Sequence, residues 1–267
     1  MNVNFENNTF SKRLKSMLAV DFRRMFTTPL FYIMVGISLV MPILILVMTK
    51  MMDGTVSVNP QTGVETVIEG FKNVWQIIGS ASGAGEAMSM DLTSMCNINM
   101  MFFFIAVFIC IFVADDFRSG YVKNLFTVRA KKTDYVISKS IIGFVAGASM
   151  LISFFIGAML GGAIAGLPFV QEGITMGNIV MSMLSKIFLV AIFSAIYLLA
   201  SVVAKQKLWL SLILSFGIGM LFFTMIPIIS PLNAGVISVV LCLVGGAIFS
   251  TAIGVGSYYI LKKTSLI

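Results

Sequence analysis

Long apolar runs alternate along the chain with short segments that carry most of the charged residues. Several runs reach the roughly 20 residues that a helix needs to cross a hydrocarbon core about 30 Å thick. The pattern predicts an all-α, polytopic membrane protein with six transmembrane helices and cytoplasmic N- and C-termini. We predict the spans at about 29–49, 98–114, 140–167, 179–204, 208–226 and 235–261, within one membrane domain that covers residues 29–267.

The segment before the first span, residues 1–28, is amphipathic. Its apolar residues recur every three or four positions, which is the spacing of one helix face. We expect a helix from Ser11 to Phe26 that lies in the membrane interface with its cations on anionic lipid headgroups; a solvated basic tail is the alternative. The apolar positions are Leu14, Leu18, Phe22 and Met25, and the cations elsewhere on the helix are Lys12, Arg13, Lys15, Arg23 and Arg24.

The segment between the first two spans, residues 50–97, is polar and too long for a simple turn. Apolar residues recur at helical spacing in its middle, which predicts a short helix over residues 64–78. Trp75 places this helix near the outer membrane interface, where tryptophan is favoured. The glycine-rich stretch 79–85 then predicts a flexible break.

Glycines in the third span predict close contact between helices. Gly143 and Gly147 are four residues apart, as are Gly157 and Gly161. Small residues at this spacing let two helix backbones approach each other. We therefore expect this span in the centre of the bundle or at a subunit contact, although glycine is also common in membrane helices in general.

The net charge of +7 follows a topological pattern. Cytoplasmic loops of membrane proteins carry an excess of Lys and Arg, and a cytoplasmic N-terminus reproduces that excess here. No basic face with interleaved aromatic residues exists outside these loops, so we expect no nucleic-acid partner. All Lys and Arg except Lys50, Lys72 and Lys186 fall within residues 1–28, 115–139, 205–207 and 262–263.

The composition also limits the chemistry that the chain can perform. It contains no histidine, the commonest general base and metal ligand. Cys96, Cys110 and Cys242 lack the spacing of a metal site. None of the eleven acidic residues lies within an apolar run, which argues against an ion-coupled carrier and an intramembrane enzyme. We expect no catalytic, metal or cofactor site in this chain.

The charged segment between the second and third spans reads DDFRSGYVKNLFTVRAKKTDYVISK over residues 115–139. It resembles the cytoplasmic loop of ABC-2-type permeases, the membrane subunits of ATP-binding-cassette exporters, particularly those of bacterial peptide-export and peptide-immunity systems. The resemblance extends to the N-terminal helix, the six spans, the large first outer loop and a break before the last span. The matching residues are Asp115 or Asp116, then Gly120, Lys123 and Asn124, then Arg129, and finally Ser138 and Lys139.

The resemblance implies that this segment and the N-terminal helix contact a separate ATP-binding-cassette ATPase subunit. The alternative is that the cations only fix the topology and bind anionic lipid. No G-x-x-x-x-G-K-[ST] motif occurs, so ATP and Mg²⁺ are expected in the partner. The implied coupling residues are Asp115, Asp116, Arg118, Gly120, Lys123, Asn124, Arg129 and Lys139, together with Arg13, Phe22, Arg23 and Arg24 of the N-terminal helix.

Three further residues mark a candidate substrate pathway. Lys186 precedes an apolar stretch, residues 187–204, that is long enough to span alone, so we expect this lysine at the outer interface. If it is buried instead, it could meet an acidic or amphipathic substrate. Phe104 and Phe108 offer flat aromatic surface to apolar cargo, although most such residues face lipid or pack in the core.

The sequence thus favours the permease subunit of an ATP-driven exporter in a bacterial plasma membrane. We expect it to form a homo- or heterodimer with a second permease subunit and to move an amphipathic or hydrophobic substrate, peptide or lipid-like, out of the cell. The alternative from another class is a non-transporting membrane scaffold or sensor. Co-purification with an ATPase separates the two.

Overall fold

The computed structural model describes residues 10–58, 65–67, 69–79, 96–128 and 131–263. Within these ranges the chain is almost wholly helical, as predicted, apart from one short β-hairpin. The helices are α1 (Phe10–Thr27), α2 (Pro29–Met52), α3 (Met101–Arg118), α4 (Tyr121–Val128), α5 (Lys132–Ala165), α6 (Met176–Ala204), α7 (Leu208–Phe223), α8 (Ile226–Ile229) and α9 (Val236–Lys263).

Five of the six predicted spans are confirmed as helices long and apolar enough to cross a membrane: α2, α3, α5, α6 and α9. The other predicted span corresponds to α7, which has only 16 residues. A helix of that length extends about 24 Å, short of a full hydrocarbon core. The four-residue helix α8 and a turn then separate it from α9. The predicted span at 208–226, and with it the total of six, and the cytoplasmic position of both termini stay predictions.

Two helices extend beyond their apolar runs into charged sequence. Helix α3 continues to Arg118 and α5 begins at Lys132, whereas the apolar runs predicted boundaries at 114 and 140. Helical backbone hydrogen bonds do not depend on side-chain polarity, so a span can continue past the membrane as one rigid element. As a result, both helices carry charged residues at the same end of the bundle. We call it the inner end because the charge pattern predicts that it faces the cytoplasm.

The prediction of a helix over residues 64–78 is wrong for most of that segment. Strand β1 (Val56–Val58) pairs antiparallel with β2 (Glu65–Val67), and Val67 is 60% exposed instead of lying on a buried helix face. Only Val74–Ile77 forms a short 3₁₀ helix. The predicted flexible break at 79–85 lies outside the described residues except for Gly79.

The 3₁₀ helix fastens the first outer loop to the connection between α5 and α6. The indole Nε1 of Trp75 donates a hydrogen bond to the carbonyl of Phe169 at 2.6 Å. The backbone N–H of Val74 donates to the carbonyl of Pro168 at 3.2 Å. Val74 and Trp75 are both almost fully buried, so this contact covers one side of the bundle at that end.

The glycines of α5 allow close helix packing, as predicted. A Cβ on Gly157 would overlap the backbone carbonyl of Leu39, and one on Gly161 would lie 2.7 Å from Cα of Ile43. Helix α2 therefore lies directly against the α5 backbone at these positions. The buried core is shared mainly by α3, α5 and α6, while α9 leaves most of its apolar surface exposed.

Candidate functional site

Four charged side chains form a buried cluster at the inner end, which we call the inner ion network. Asp21 and Arg24 come from α1, Asp116 from α3 and Lys139 from α5. The Lys139 ammonium lies 2.8 Å from a carboxylate oxygen of each aspartate. Arg24 Nη1 contacts the second oxygen of Asp116. Both aspartates are fully buried and Lys139 is 3% exposed, so these interactions are shielded from solvent.

Neutral groups complete the hydrogen bonding of the network. The Tyr135 hydroxyl donates to Asp116 at 3.0 Å, and the Ser138 hydroxyl donates to Asp21 at 2.6 Å. The Lys139 ammonium also lies 4.4 Å from the ring centre of Phe112, within cation–π range. Two cations thus face two carboxylates with further hydrogen bonds, which is the arrangement that a buried ion cluster requires.

The network also shifts the pKa of its own Arg24 and of Tyr121, which lies beside it on α4. Burial lowers the pKa of Arg24, but the charge and hydrogen bond of Asp116 together with the charge of Asp21 outweigh burial and raise this pKa above its ordinary value. Burial, together with the negative charges of Asp21 and Asp116, raises the pKa of the Tyr121 phenol. Arg24 therefore remains a cation and Tyr121 a neutral phenol across the physiological pH range.

A second ion pair ties the start of α1 to α5. Arg13 Nε donates to Asp134 Oδ2 at 3.0 Å, and this carboxylate also accepts a hydrogen bond from the backbone N–H of Lys131. With the inner ion network near its C-terminal end, α1 is held to the bundle at two points about two and a half turns apart. Ion pairs therefore join α1 to α5 at both points.

The structure separates the predicted coupling residues into two groups. Arg13, Arg24, Asp116 and Lys139 form ion pairs inside the protein, and Phe22 is half-buried against the core. Gly120, with φ of +70°, forms the turn between α3 and α4. Arg129 lies outside the described residues. The exposed group of predicted residues comprises Arg23, Arg118, Lys123, Asp115 and Asn124. Together with Lys12 and Lys15, which are also exposed on α1 but were not predicted as coupling residues, they form what we call the basic inner surface.

The expectation that the cations of α1 lie away from its packed face is wrong for Arg13 and Arg24. Both are partly buried because Arg13 pairs with Asp134 of α5 and Arg24 pairs with Asp116 of α3. Sequence reasoning also missed Asp21, which is the counter-ion of Lys139. Asp21 follows Met17 and precedes Met25 at four-residue spacing, and an acid in an apolar helix stripe signals a buried partner.

The substrate-pathway candidates lie in two different environments. Phe108 is fully buried and packs edge-on against Phe31 of α2, whereas Phe104 is half-buried. Lys186 is 1% exposed, so the expectation of a solvated lysine at the outer interface is wrong. The reason is the turn after α8, where Ser230 folds over the ammonium and accepts its hydrogen bonds. No cluster of potential metal ligands exists among the described residues.

Comparison with known proteins identifies a family for most of the chain. Residues 27–222, well over half of the 267, match the family described as ABC-2 family transporter protein. The match includes α2 to α7, and thus the spans that contribute Asp116, Lys139 and Lys186. No curated protein and no solved structure matches the chain.

Proposed function

The chain belongs to the ABC-2 transporter family and is a multi-pass membrane transport component, and on that premise we propose that it is the permease subunit of an ATP-driven exporter. A separate ATP-binding-cassette subunit, carrying ATP and Mg²⁺, supplies the energy. A second permease subunit, identical or homologous, completes the pathway in the plasma membrane of a bacterium. The cargo is amphipathic or hydrophobic, with a peptide or a lipid-like molecule as the leading candidates.

The observation that carries the proposal is the connection between the inner ion network and α5. This helix has 34 residues and is about 50 Å long, so it extends from the inner ion network to the outer end. At the outer end it contacts α2 through its glycines. A displacement of α1 by a cytoplasmic motor therefore moves α5 with it, because their buried ion pairs resist separation.

In this proposal the basic inner surface and the inner ion network have different roles. The basic inner surface contacts the ATPase, since its cations are exposed and an interface needs accessible charge for steering and docking. The inner ion network transmits the movement and makes no contact with the ATPase. This assignment narrows the implied coupling set to Arg23, Arg118, Lys123 and Asn124 as contact residues.

Co-expression with the candidate ATPase subunit tests the proposal. We expect the ATPase to co-purify with the wild-type chain in mild detergent, and a variant with Arg118→Glu and Lys123→Glu to lose it. The matched control reverses Lys50 and Lys72, which lie at the opposite end in exposed ion pairs, and should leave co-purification unchanged. If no ATPase associates with the wild type, the exporter assignment fails and the scaffold or sensor alternative replaces it.

A further inference from the structure

Every hydrogen-bond partner of the buried Lys186 among the described residues is a neutral oxygen. Its ammonium donates to the Ser230 carbonyl at 2.6 Å and to the hydroxyls of Ser230 and Ser182, each at 3.2 Å. The Ser230 hydroxyl in turn donates to the Ser182 carbonyl at 3.1 Å. Lys186 forms no salt bridge with any carboxylate in the part of the chain that the structure describes, in contrast to Lys139 at the inner end.

Stability alone does not account for this charge. A cation taken out of water without a counter-ion is destabilising, and uncharged side chains of similar volume are usually as stable or more stable at such sites. Methionine has nearly the same length and would fill the same space. An ionisable group at membrane depth is by default a candidate for function, and an anion is the partner that would complement a charged lysine there.

The position of Lys186 suggests which movement that anion would control. The ammonium lies where α6, the turn after α8 and the first outer loop converge: Ser230 accepts its hydrogen bond, and a Cβ on Gly79 would lie 3.6 Å from it and 3.7 Å from the backbone of Leu232. Lys186 thus fastens the interrupted hairpin between α7 and α9 to α6. The contact closes the outer end of the bundle over the interior.

We propose that Lys186 is a binding site for an anionic group of the cargo, a carboxylate or a phosphate. In the present structure the Ser230 carbonyl accepts the hydrogen bond of Lys186 that the anion would accept when it binds. A charge-assisted hydrogen bond to an anion is roughly twice as strong as one to a neutral acceptor, so the anion displaces the carbonyl. Displacement releases the turn after α8 from α6 and opens the outer end. The inference rests on the proposed transport function, because it assigns the anion to the cargo.

Cys242 provides a reporter for this opening. It lies near the outer start of α9, is 2% exposed, and is close enough to Lys186 for the two groups to interact electrostatically. A background with Cys96→Ser and Cys110→Ser leaves Cys242 as the single thiol of the chain. The measured quantity is the rate at which a membrane-impermeant maleimide modifies Cys242 in the full-length protein, reconstituted in nanodiscs.

Two pairs of probes distinguish the sources of the anion. The first pair is a hydrophobic N-acetylated peptide with a free C-terminal carboxylate and the same peptide with a C-terminal amide, both in phosphatidylcholine nanodiscs. The second pair is nanodiscs of phosphatidylglycerol and of phosphatidylcholine without peptide. We expect the carboxylate peptide to accelerate modification about tenfold over the amide, the ratio for a difference of 1.4 kcal/mol. Acceleration in phosphatidylglycerol alone also supports an anion site and identifies a lipid headgroup as the anion.

Lys186→Met should remove both differences, and Lys186→Arg should retain them. For each variant, the compared quantity is the ratio of the modification rates with the two members of a probe pair. The direct effect of the lysine charge on the reactivity of the Cys242 thiol is common to both rates and cancels in this ratio. Ser194→Ala is the matched control, since this buried hydroxyl on α6 bonds only within its own helix, and it should behave as the wild type. A variant with Glu86→Gln and Asp91→Asn removes the two acids of residues 80–95, which follow Gly79 in the chain and lie outside the described residues. It should also behave as the wild type.

Three results would overturn the proposal: equal rates with both members of each probe pair, an anion effect that persists in Lys186→Met, or anion-independent opening in the Glu86/Asp91 variant. The experiment contains no ATPase and no ATP. Its outcome is therefore separate from the co-purification test, and a failure of either can be recognised without the other.

Discussion

Replacing Asp116 by asparagine tests the inner ion network with a minimal change of shape. The wild-type network balances two carboxylates against two cations, and the variant leaves Lys139 and Arg24 facing Asp21 alone. Breaking a buried ion pair by removing one partner costs about 3–5 kcal/mol. Arg24 is 30% exposed and Lys139 keeps its contact with Asp21, so we expect the lower end, about 3 kcal/mol.

The neighbouring residue supplies the control. Asp115 is exposed whereas Asp116 is fully buried, so Asp115→Asn makes the same chemical change one position earlier. A surface substitution of this kind changes stability by about 0.5 kcal/mol or less. Unfolding of the purified protein in mixed micelles with a rising fraction of dodecyl sulfate, followed by circular dichroism, measures the free-energy difference between each variant and the wild type.

A second substitution examines the coupling within the network. Adding Lys139→Gln to Asp116→Asn removes one positive charge and leaves Asp21 with Arg24, so neutrality returns. The double variant should be more stable than the sum of the single effects by about 1–3 kcal/mol. The reasoning is refuted if Asp116→Asn and Asp115→Asn unfold at the same detergent fraction, or if the two network substitutions are additive.

Three further substitutions test other contacts with the same unfolding assay. Gly157→Ala should destabilise by about 1–3 kcal/mol because its Cβ overlaps the carbonyl of Leu39, while Gly217→Ala, which meets open space, should be neutral or slightly stabilising; equal effects contradict the close packing. Trp75→Phe should cost about 1 kcal/mol because the indole hydrogen bond to the carbonyl of Phe169 is lost; no loss of stability would contradict a stabilising role of this hydrogen bond. Tyr197→Phe should leave stability unchanged or raise it, because this buried hydroxyl has no hydrogen-bond partner in the described chain; a large loss contradicts that assignment.

The features that the sequence predicted well depend on neighbouring residues in the chain. A helix satisfies its backbone hydrogen bonds internally, so apolar runs are enough to locate α2, α3, α5, α6 and α9. The amphipathic spacing before residue 28 likewise predicted α1. The outer loop did not follow this rule, because the helical spacing between 67 and 78 arose by chance from a strand and a single 3₁₀ turn.

The features that the sequence did not reveal depend on distant partners. Asp21 pairs with Lys139, 118 positions away in the chain, and Arg24 pairs with Asp116, 92 positions away. At these separations a local sequence pattern does not identify the partner. The charged segment suggested a surface loop, yet its first and last parts belong to α3 and α5. Asp116, Asp134 and Lys139 in these parts are buried inside the bundle. Lys186 was predicted at the outer interface because nothing nearby in the sequence indicates that Ser230 covers it.

The central claim is that the basic inner surface docks an ATPase while the inner ion network transmits its movement. The most direct measurement is the amount of ATPase subunit retained per permease during purification, compared among the wild type, the variant with Arg118→Glu and Lys123→Glu, and Asp116→Asn. The account predicts that the charge-reversed variant loses the ATPase and that the folded fraction of Asp116→Asn retains it. An ATPase that binds all three equally, or none of them, would contradict the account.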